Sequence, residues 1–312
     1  MGDLDTDLHY FNKVTFALYS YNQESYIREA VESVLNQDFP SMEIILSDDC
    51  SSDKTYEIMQ EAVKAYTGHH KVILIKNPVN LGIANHYNNV LKKASGDIII
   101  NAAGDDISMP NRAQIVYSHL SNKESNISAI YSNVEIIDSK GESNGVLFKN
   151  PPFFSRNIED FKKTRICWAH GSSLDFRKIL FEKYGKFNPE LLQEDGVIAF
   201  RALLEGNLEY VNMPLVKYRI HGSNISQTDS PGRRLKLQKK SYLLKASWLK
   251  DAALSENTDK VLMKILRREL FYSKIKSFFF TIPVLGFLYN ALRISLKKCK
   301  RYINHFHSNE KS

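Results

Sequence analysis

The chain has 312 residues, 43% of them apolar, with a mean hydropathy of −0.33 and a net charge of +7. That is enough apolar material for a substantial core, and it excludes a disordered or fibrous chain. Cys50, Cys167 and Cys299 lie far apart and fit no disulfide or metal-ligand spacing, which suggests a reducing compartment.

Val14–Ser20 reads as a strand, and a helix is expected from about Glu24 to Asn36, with Ile27, Val31, Val34 and Leu35 on one face. Glu43–Ser47 is the next strand, closed by Asp48-Asp49-Cys50-Ser51-Ser52-Asp53. Lys54–Tyr66 reads as helix, Val72–Ile75 as strand, Asn85–Ala94 as helix and Asp97–Ala102 as strand, stopping at Gly104-Asp105-Asp106. Strands alternating with helices at this spacing predict an α/β fold with a mainly parallel sheet covered on both faces. Farther on, Ile127–Ile137 suggests a strand pair and Pro151-Pro152 a loop. His170–Phe176 and Leu208–Tyr218 read as extended, with a helix near Val197–Leu204.

From Arg233 onward the pattern is helical and basic. Residues 231–312 carry 19 Lys and Arg against 5 Asp and Glu, while residues 1–230 are net acidic at −7. The expected division is a domain at 1–230 and a basic helical extension at 231–312. Within it, Ser277–Leu296 is apolar and aromatic but is broken by Pro283 and Gly286. It falls short of the roughly 20 apolar residues of a spanning helix. Two readings stand: a helix lying in the membrane interface among anionic headgroups, or helices that cap the domain. The start Met1–Asp7 is acidic where a secretory leader would be basic, and its acylation-like pattern has no basic patch beside it.

In open sheets of the expected kind, ligands sit beyond the carboxyl ends of the strands. The clusters at residues 20–24, 48–53 and 104–106 all fall there, so three strand ends deliver polar side chains to one crevice. Asp105-Asp106 suits a hard cation such as Mg²⁺ or Mn²⁺ shared with a diphosphate, and equally suits a polar turn. Asp48-Asp49 suits hydrogen bonds from a nucleobase or ribose, or the cap of the following helix. Tyr19-Ser20-Tyr21-Asn22-Gln23-Glu24 replaces the glycines of a dinucleotide fold and the lysine of a phosphate loop, so a pyrophosphate is not held in either manner. Glu194-Asp195 opens a helix, where a carboxylate suits the dipole or serves as a general base. Arg219 suits phosphate oxygens, and His221 a metal, a phosphate or a structural hydrogen bond.

Taken in order, Ser20-Tyr21-Asn22-Gln23, Ser33-Val34-Leu35-Asn36-Gln37, Ser47-Asp48-Asp49-Cys50-Ser51, Asn80-Leu81-Gly82, Gly104-Asp105-Asp106, Glu194-Asp195 and Tyr218-Arg219-Ile220-His221 resemble glycosyltransferase family 2, the large inverting family with the GT-A fold. The resemblance covers roughly Val14 to Ser226. It implies a GT-A (Rossmann-like) sheet, a nucleotide-sugar donor and Mg²⁺ or Mn²⁺. Asp49 would then contact the base and Tyr21 line its pocket, with Tyr19 also binding the nucleotide, while Asp105 would face the ribose and Asp106 would ligate the metal, with His221 a further ligand or on the diphosphate side. Arg219 would stand on the diphosphate side, and Asp195 would be the general base. The family often writes its metal motif Asp-x-Asp-Asp, and here Ala103 stands first. The acceptor expected is a glycan or a lipid-linked saccharide in bacterial surface-polysaccharide synthesis, with peripheral contact at the cytoplasmic face of the membrane and no nucleic acid. The rivals are a nucleotidyltransferase, which would need a glycine-rich basic loop after the first strand, and a non-enzymatic membrane or nucleic-acid binder acting through the tail.

Overall fold

The computed structural model describes residues 13–281 except 123, 223 and 225–230. The acylation-like start, Cys299 and residues 282–296 of the apolar stretch lie outside the described residues.

Four parallel strands form the centre of the sheet: β1 (Val14–Ser20), β2 (Glu43–Asp48), β3 (Lys71–Lys76) and β4 (Ile98–Ala103), in the order β3-β2-β1-β4. The helices between them are α1 (Ile27–Leu35), α2 (Thr55–Ala65) and α3 (Ile83–Lys93). β1 and β2 are buried along their whole length, as expected for parallel strands covered on both faces. Alternation then sorts the side chains. Phe16 and Leu18 point to one core with Val31, Val34, Met59 and Val116, and Ala17 and Tyr19 point to another with Val90 and Leu91.

The sheet continues with antiparallel and mixed pairing. β5 (Ile107–Ser108) and α4 (Arg112–Leu120) follow β4, and then come β6 (Ile127–Ile137), β7 (Ser143–Val146) and α5 (Ile158–Thr164). A short 3-10 turn, Gly171–Ser173, leads into β8 (Leu174–Arg177), α6 (Ile179–Tyr184), α7 (Glu194–Glu205) and β9 (Asn207–Arg219). β8 pairs antiparallel with β4 and β6, β9 runs parallel to β6, and β5 pairs antiparallel with the end of β9. The stretch expected as a strand pair at Ile127–Ile137 is instead a single strand, matched to β9 with shifts in register around Asn133 and Pro214. Proline cannot donate to the ladder, so the register breaks where it sits.

α8 (Pro231–Leu254) and α9 (Lys260–Thr281) form a hairpin against α7. Trp248 is buried, stacked on Phe200 and edge-on to Phe161, and Leu262, Ile265 and Leu266 join the same core. A buried ion pair, Arg201 Nε to Asp251 Oδ2 at 2.8 Å, ties α7 to α8. The basic helices thus complete the core with one face. Among the described residues no helix is long and apolar enough to cross a membrane.

Candidate active site

The loops after β1 and β2 are laced together by their own polar side chains. Asn22 N–H donates to Ser51 Oγ, Gln23 N–H to Thr55 Oγ1 and Glu24 N–H to Asp53 Oδ2. In return Ser52 N–H donates to Asn22 Oδ1, and Lys54 N–H to Glu24 Oε2. This lacing delays α1 to Ile27, three residues after its expected start, because Asn22–Glu24 are committed to the neighbouring loop. Asn22 and Cys50 both take left-handed backbone, at φ 52° and 63°. That conformation is why glycine or asparagine is expected where Cys50 stands.

The two acids of the β2 end have separate work. Asp48 is fully buried and accepts from the N–H and hydroxyl of Ser51. Asp49 Oδ1 accepts from Asn77 Nδ2 and Leu81 N–H, at 2.8 and 2.9 Å, and its Oδ2 accepts from Gly82 N–H at 3.0 Å. The Asn80-Leu81-Gly82 motif is therefore the loop that Asp49 pins, and Gly82 enters α3 at φ 73°, where a side chain would be strained. Tyr21 stands exposed at the rim, whereas Tyr19 is turned into the core, its ring stacked on Tyr87 at 4.0 Å. In this structure Tyr19 packs in the core while Tyr21 is exposed to solvent.

At the end of β4, Gly104 passes so close to Gln23, Ile27 and Ser20 that a β-carbon there would lie 2.4 to 2.9 Å from their atoms. The neighbouring acids are held from the far end of β9. Asp105 Oδ2 lies 3.0 Å from His221 Nε2, and Asp106 Oδ1 accepts from Arg219 N–H at 2.9 Å. Asp106 is 4% exposed, and its Oδ2 has no hydrogen-bond partner among the described residues. Burial first, and the Asp105 charge second, push its carboxyl well above the usual carboxylate range.

Arg219, which the resemblance sets on the diphosphate side, has its side-chain donors committed within the protein. It is 2% exposed, and its donors are taken by the Asp105 carbonyl, the Asp138 carbonyl and the Glu29 carboxylate, while the guanidinium covers the Tyr26 ring. It locks the β9 end against the acidic pair. His221 lies tilted against the same Tyr26 ring, at 4.6 Å between centroids, and its Nε2 is paired with Asp105.

Asp195 sits in the first turn of α7. Its Oδ1 accepts from Gly196 N–H at 2.7 Å, and a β-carbon at Gly171 would lie 3.3 Å from its Oδ2. Burial raises its pKa. From α8, Trp248 Nε1 donates to the Gly196 carbonyl at 2.9 Å, and Leu244 packs against Gly196. Sequence reasoning missed Trp248 as part of this setting, because nothing local to residues 240–250 marks a hydrogen bond to a helix 52 residues earlier. A half-buried run of aromatic rings, Phe154, Trp168 and His170, leads along the turn before Gly171.

The chain is similar in sequence and in fold to known proteins. The family model "Glycosyl transferase family 2" matches residues 15–181, more than half of the chain. The chain belongs to glycosyl transferase family 2. An uncharacterised glycosyltransferase of Haemophilus influenzae is 27% identical over 247 residues, covering 74% of each chain. The Escherichia coli enzyme WfgD, named as a UDP-Glc:alpha-D-GlcNAc-diphosphoundecaprenol beta-1,3-glucosyltransferase, is 28% identical over 68% of this chain and 79% of its own. In fold, the chain is similar to the S. aureus TarS fragment 1–349 in complex with UDP-GlcNAc. The TM-score is 0.63 at 18% identity, over 84% of this chain and 72% of that one. It is likewise similar to a Pyrobaculum calidifontis mannosyltransferase in complex with GDP-Man and Mn²⁺, with a TM-score of 0.56 at 16% identity, over 94% and 83%. The protein is thus a glycosyltransferase with a GT-A-like α/β sheet, and the nucleotidyltransferase and non-enzymatic readings fall away.

One structural prediction arises at Gly104. Gly104→Ala is expected to lower stability by about 1–3 kcal/mol, because Ile27 and Ser20 are packed and must shift. Thermal unfolding of the variant beside wild type measures it, and an unchanged midpoint would refute the close approach.

Proposed function

We propose that this glycosyltransferase moves a sugar, with inversion, from a nucleoside-diphosphate donor, a UDP-sugar, to a hydroxyl of a glycan or lipid-linked saccharide in surface-polysaccharide synthesis. The observation that carries the reading is the buried pair at the β4 end, Asp105-Asp106, with one Asp106 oxygen lacking a hydrogen-bond partner among the described residues. A buried carboxylate oxygen without a donor is costly, and a cation is the partner that would relieve it.

The donor set fits a divalent ion of the Mg²⁺ or Mn²⁺ kind. Such ions take one or two carboxylates and fill their remaining positions with substrate oxygens and water. Among the described residues no three His, Cys, Asp or Glu side chains form a ready cage, so the diphosphate itself would complete the coordination. When bound, the ion neutralises charge on the leaving nucleoside diphosphate. Asp106 would hold it, Asp105 would face the ribose with His221 steadying its carboxylate, and Tyr21 would meet the base beside the loop that Asp49 pins. Asp195 would take the proton of the acceptor hydroxyl as that oxygen attacks the anomeric carbon from the face opposite the leaving group. The relative with a named substrate takes UDP-Glc and a diphosphoundecaprenol-linked GlcNAc, which supports a UDP-sugar and a lipid-linked acceptor here. Residues 1–230 would carry this chemistry and residues 231–312 would form the extension, on the cytoplasmic side of the membrane.

Calorimetric titration of UDP, GDP, dTDP and CMP, with and without Mn²⁺, tests the donor site. UDP is expected to bind in a metal-dependent way to wild type, and Asp106→Ala is expected to abolish the Mn²⁺ dependence. Binding of no nucleotide, or equal binding by Asp106→Ala, would remove the reading.

A further inference from the structure

We propose that the exposed face of α9 is a docking surface for an anionic lipid bilayer. The helix is two-sided. Leu262, Ile265, Leu266 and Phe280 are buried against the protein core. On the opposite side, Phe271 is 61% and Phe278 60% exposed, with Val261, Tyr272 and Ile275 also exposed. Residues 271, 275 and 278 follow one another at i, i+4 and i+7, so they share a stripe. Large apolar side chains exposed singly are ordinary, but a contiguous run of them on one helix marks an interaction surface.

Charge selects the partner. Lys264, Arg267, Arg268 and Lys274 are exposed around the same stripe and form no ion pair among the described residues. The single acid of α9, Glu269, is half-buried and interacts electrostatically with Lys245 of α8. The outer face therefore offers cations and aromatic rings with no acid between them. Anionic headgroups meet the cations while the acyl boundary takes Phe271, Ile275 and Phe278. Nucleic acid would satisfy the charge but leave the aliphatic side chains in water. This face begins earlier in the chain than the stretch at Ser277–Leu296 that the sequence singles out.

The surface deepens the reading of a lipid-linked acceptor and rests on it for its purpose, although not for its existence. The hairpin that presents this face also donates the Trp248 hydrogen bond to the first turn of α7, beside Asp195. The α8–α9 hairpin thus links the lipid face to the helix of the proposed base, which suits an acceptor whose sugar stands just above the bilayer.

Co-sedimentation of the full chain with vesicles tests the proposal, using phosphatidylcholine alone and phosphatidylcholine with about 30 mol% phosphatidylglycerol. Partitioning at least about tenfold stronger onto the anionic vesicles is expected, declining with added salt. Phe271→Ser with Ile275→Ser should weaken it roughly tenfold or more, and Arg267→Gln with Arg268→Gln about fivefold per cation removed. All four positions are exposed, so UDP binding by calorimetry should be unchanged in each variant, which separates this outcome from failure of the donor site. No partitioning would overturn the proposal. So would partitioning untouched by either variant, which would move the contact to residues 282–312. A lipid-free dimer dissolved by Phe271→Ser with Ile275→Ser would overturn it in favour of a second copy.

Discussion

Asp195→Asn is expected to lower sugar transfer by about 10²–10⁴-fold while leaving metal-dependent nucleotide binding intact. Asparagine keeps the size of the side chain and one acceptor oxygen for Gly196 N–H, so α7 has no reason to shift. It cannot take the acceptor proton. The pH profile carries a second, independent expectation. Burial raises the Asp195 pKa, so the carboxyl becomes protonated at a higher pH than an exposed aspartate would. A base works only when ionised. Activity should therefore fall on the acid side at a pH above the ordinary aspartate range near ~3.9. Measuring kcat/KM by release of UDP across pH reads both. Near-full transfer by Asp195→Asn would sink the assignment, and an acid limb at or below the ordinary range would contradict the buried setting.

How far the sequence reaches is clearest at the strand ends. The alternation Phe16/Leu18 against Ala17/Tyr19 and the acids following β2 and β4 are local patterns, and they are legible because a parallel strand buries both faces and must stop at polar residues. The roles of those acids are not local. Asp49 reads the same whether it meets a base or, as here, pins Leu81 and Gly82 more than 30 residues away. Arg219 shows the limit more sharply. A guanidinium suits phosphate oxygens and the resemblance sets it on the diphosphate side, but nothing local announces that β9 brings it to the Asp105 carbonyl and to Glu29 of α1. Only the topology brings residues 29, 105 and 219 together. The same holds for α8, whose basic composition suggested a separate surface while Trp248 and Asp251 bind it to α7. Charge counts cannot see a single buried tryptophan.

Asp175→Ala is expected to lower stability by about 3–5 kcal/mol, a shift in unfolding midpoint on the order of 10 °C. Arg112 is completely buried at the start of α4 and gathers the layers beneath the site. Its guanidinium donates to the Asn101 carbonyl of β4 at 2.7 Å, to Ser108 of β5 at 3.2 Å, to the Ser172 carbonyl and to both Asp175 oxygens. Burial pushes the Asp175 carboxyl up to about 6, with the adjacent Arg112 and Asn101 N–H pulling the other way. Removing the carboxylate takes away the only charged group that hydrogen-bonds this buried cation among the described residues, leaving carbonyls and a hydroxyl as its remaining hydrogen-bond partners. Asp175→Asn keeps a hydrogen-bond acceptor and should cost less, and Arg112→Met with Asp175→Leu, which removes both charges, should recover much of the loss. Because Ser172 lies in the Gly171–Ser173 turn near Asp195 and Asp175 in the strand that follows it, the single Asp175→Ala change should also loosen the base. Its transfer activity should then fall before its fold does on warming. A midpoint within 1 °C of wild type, checked by calorimetric unfolding near neutral pH, would show that the pair is dispensable to the layers it joins.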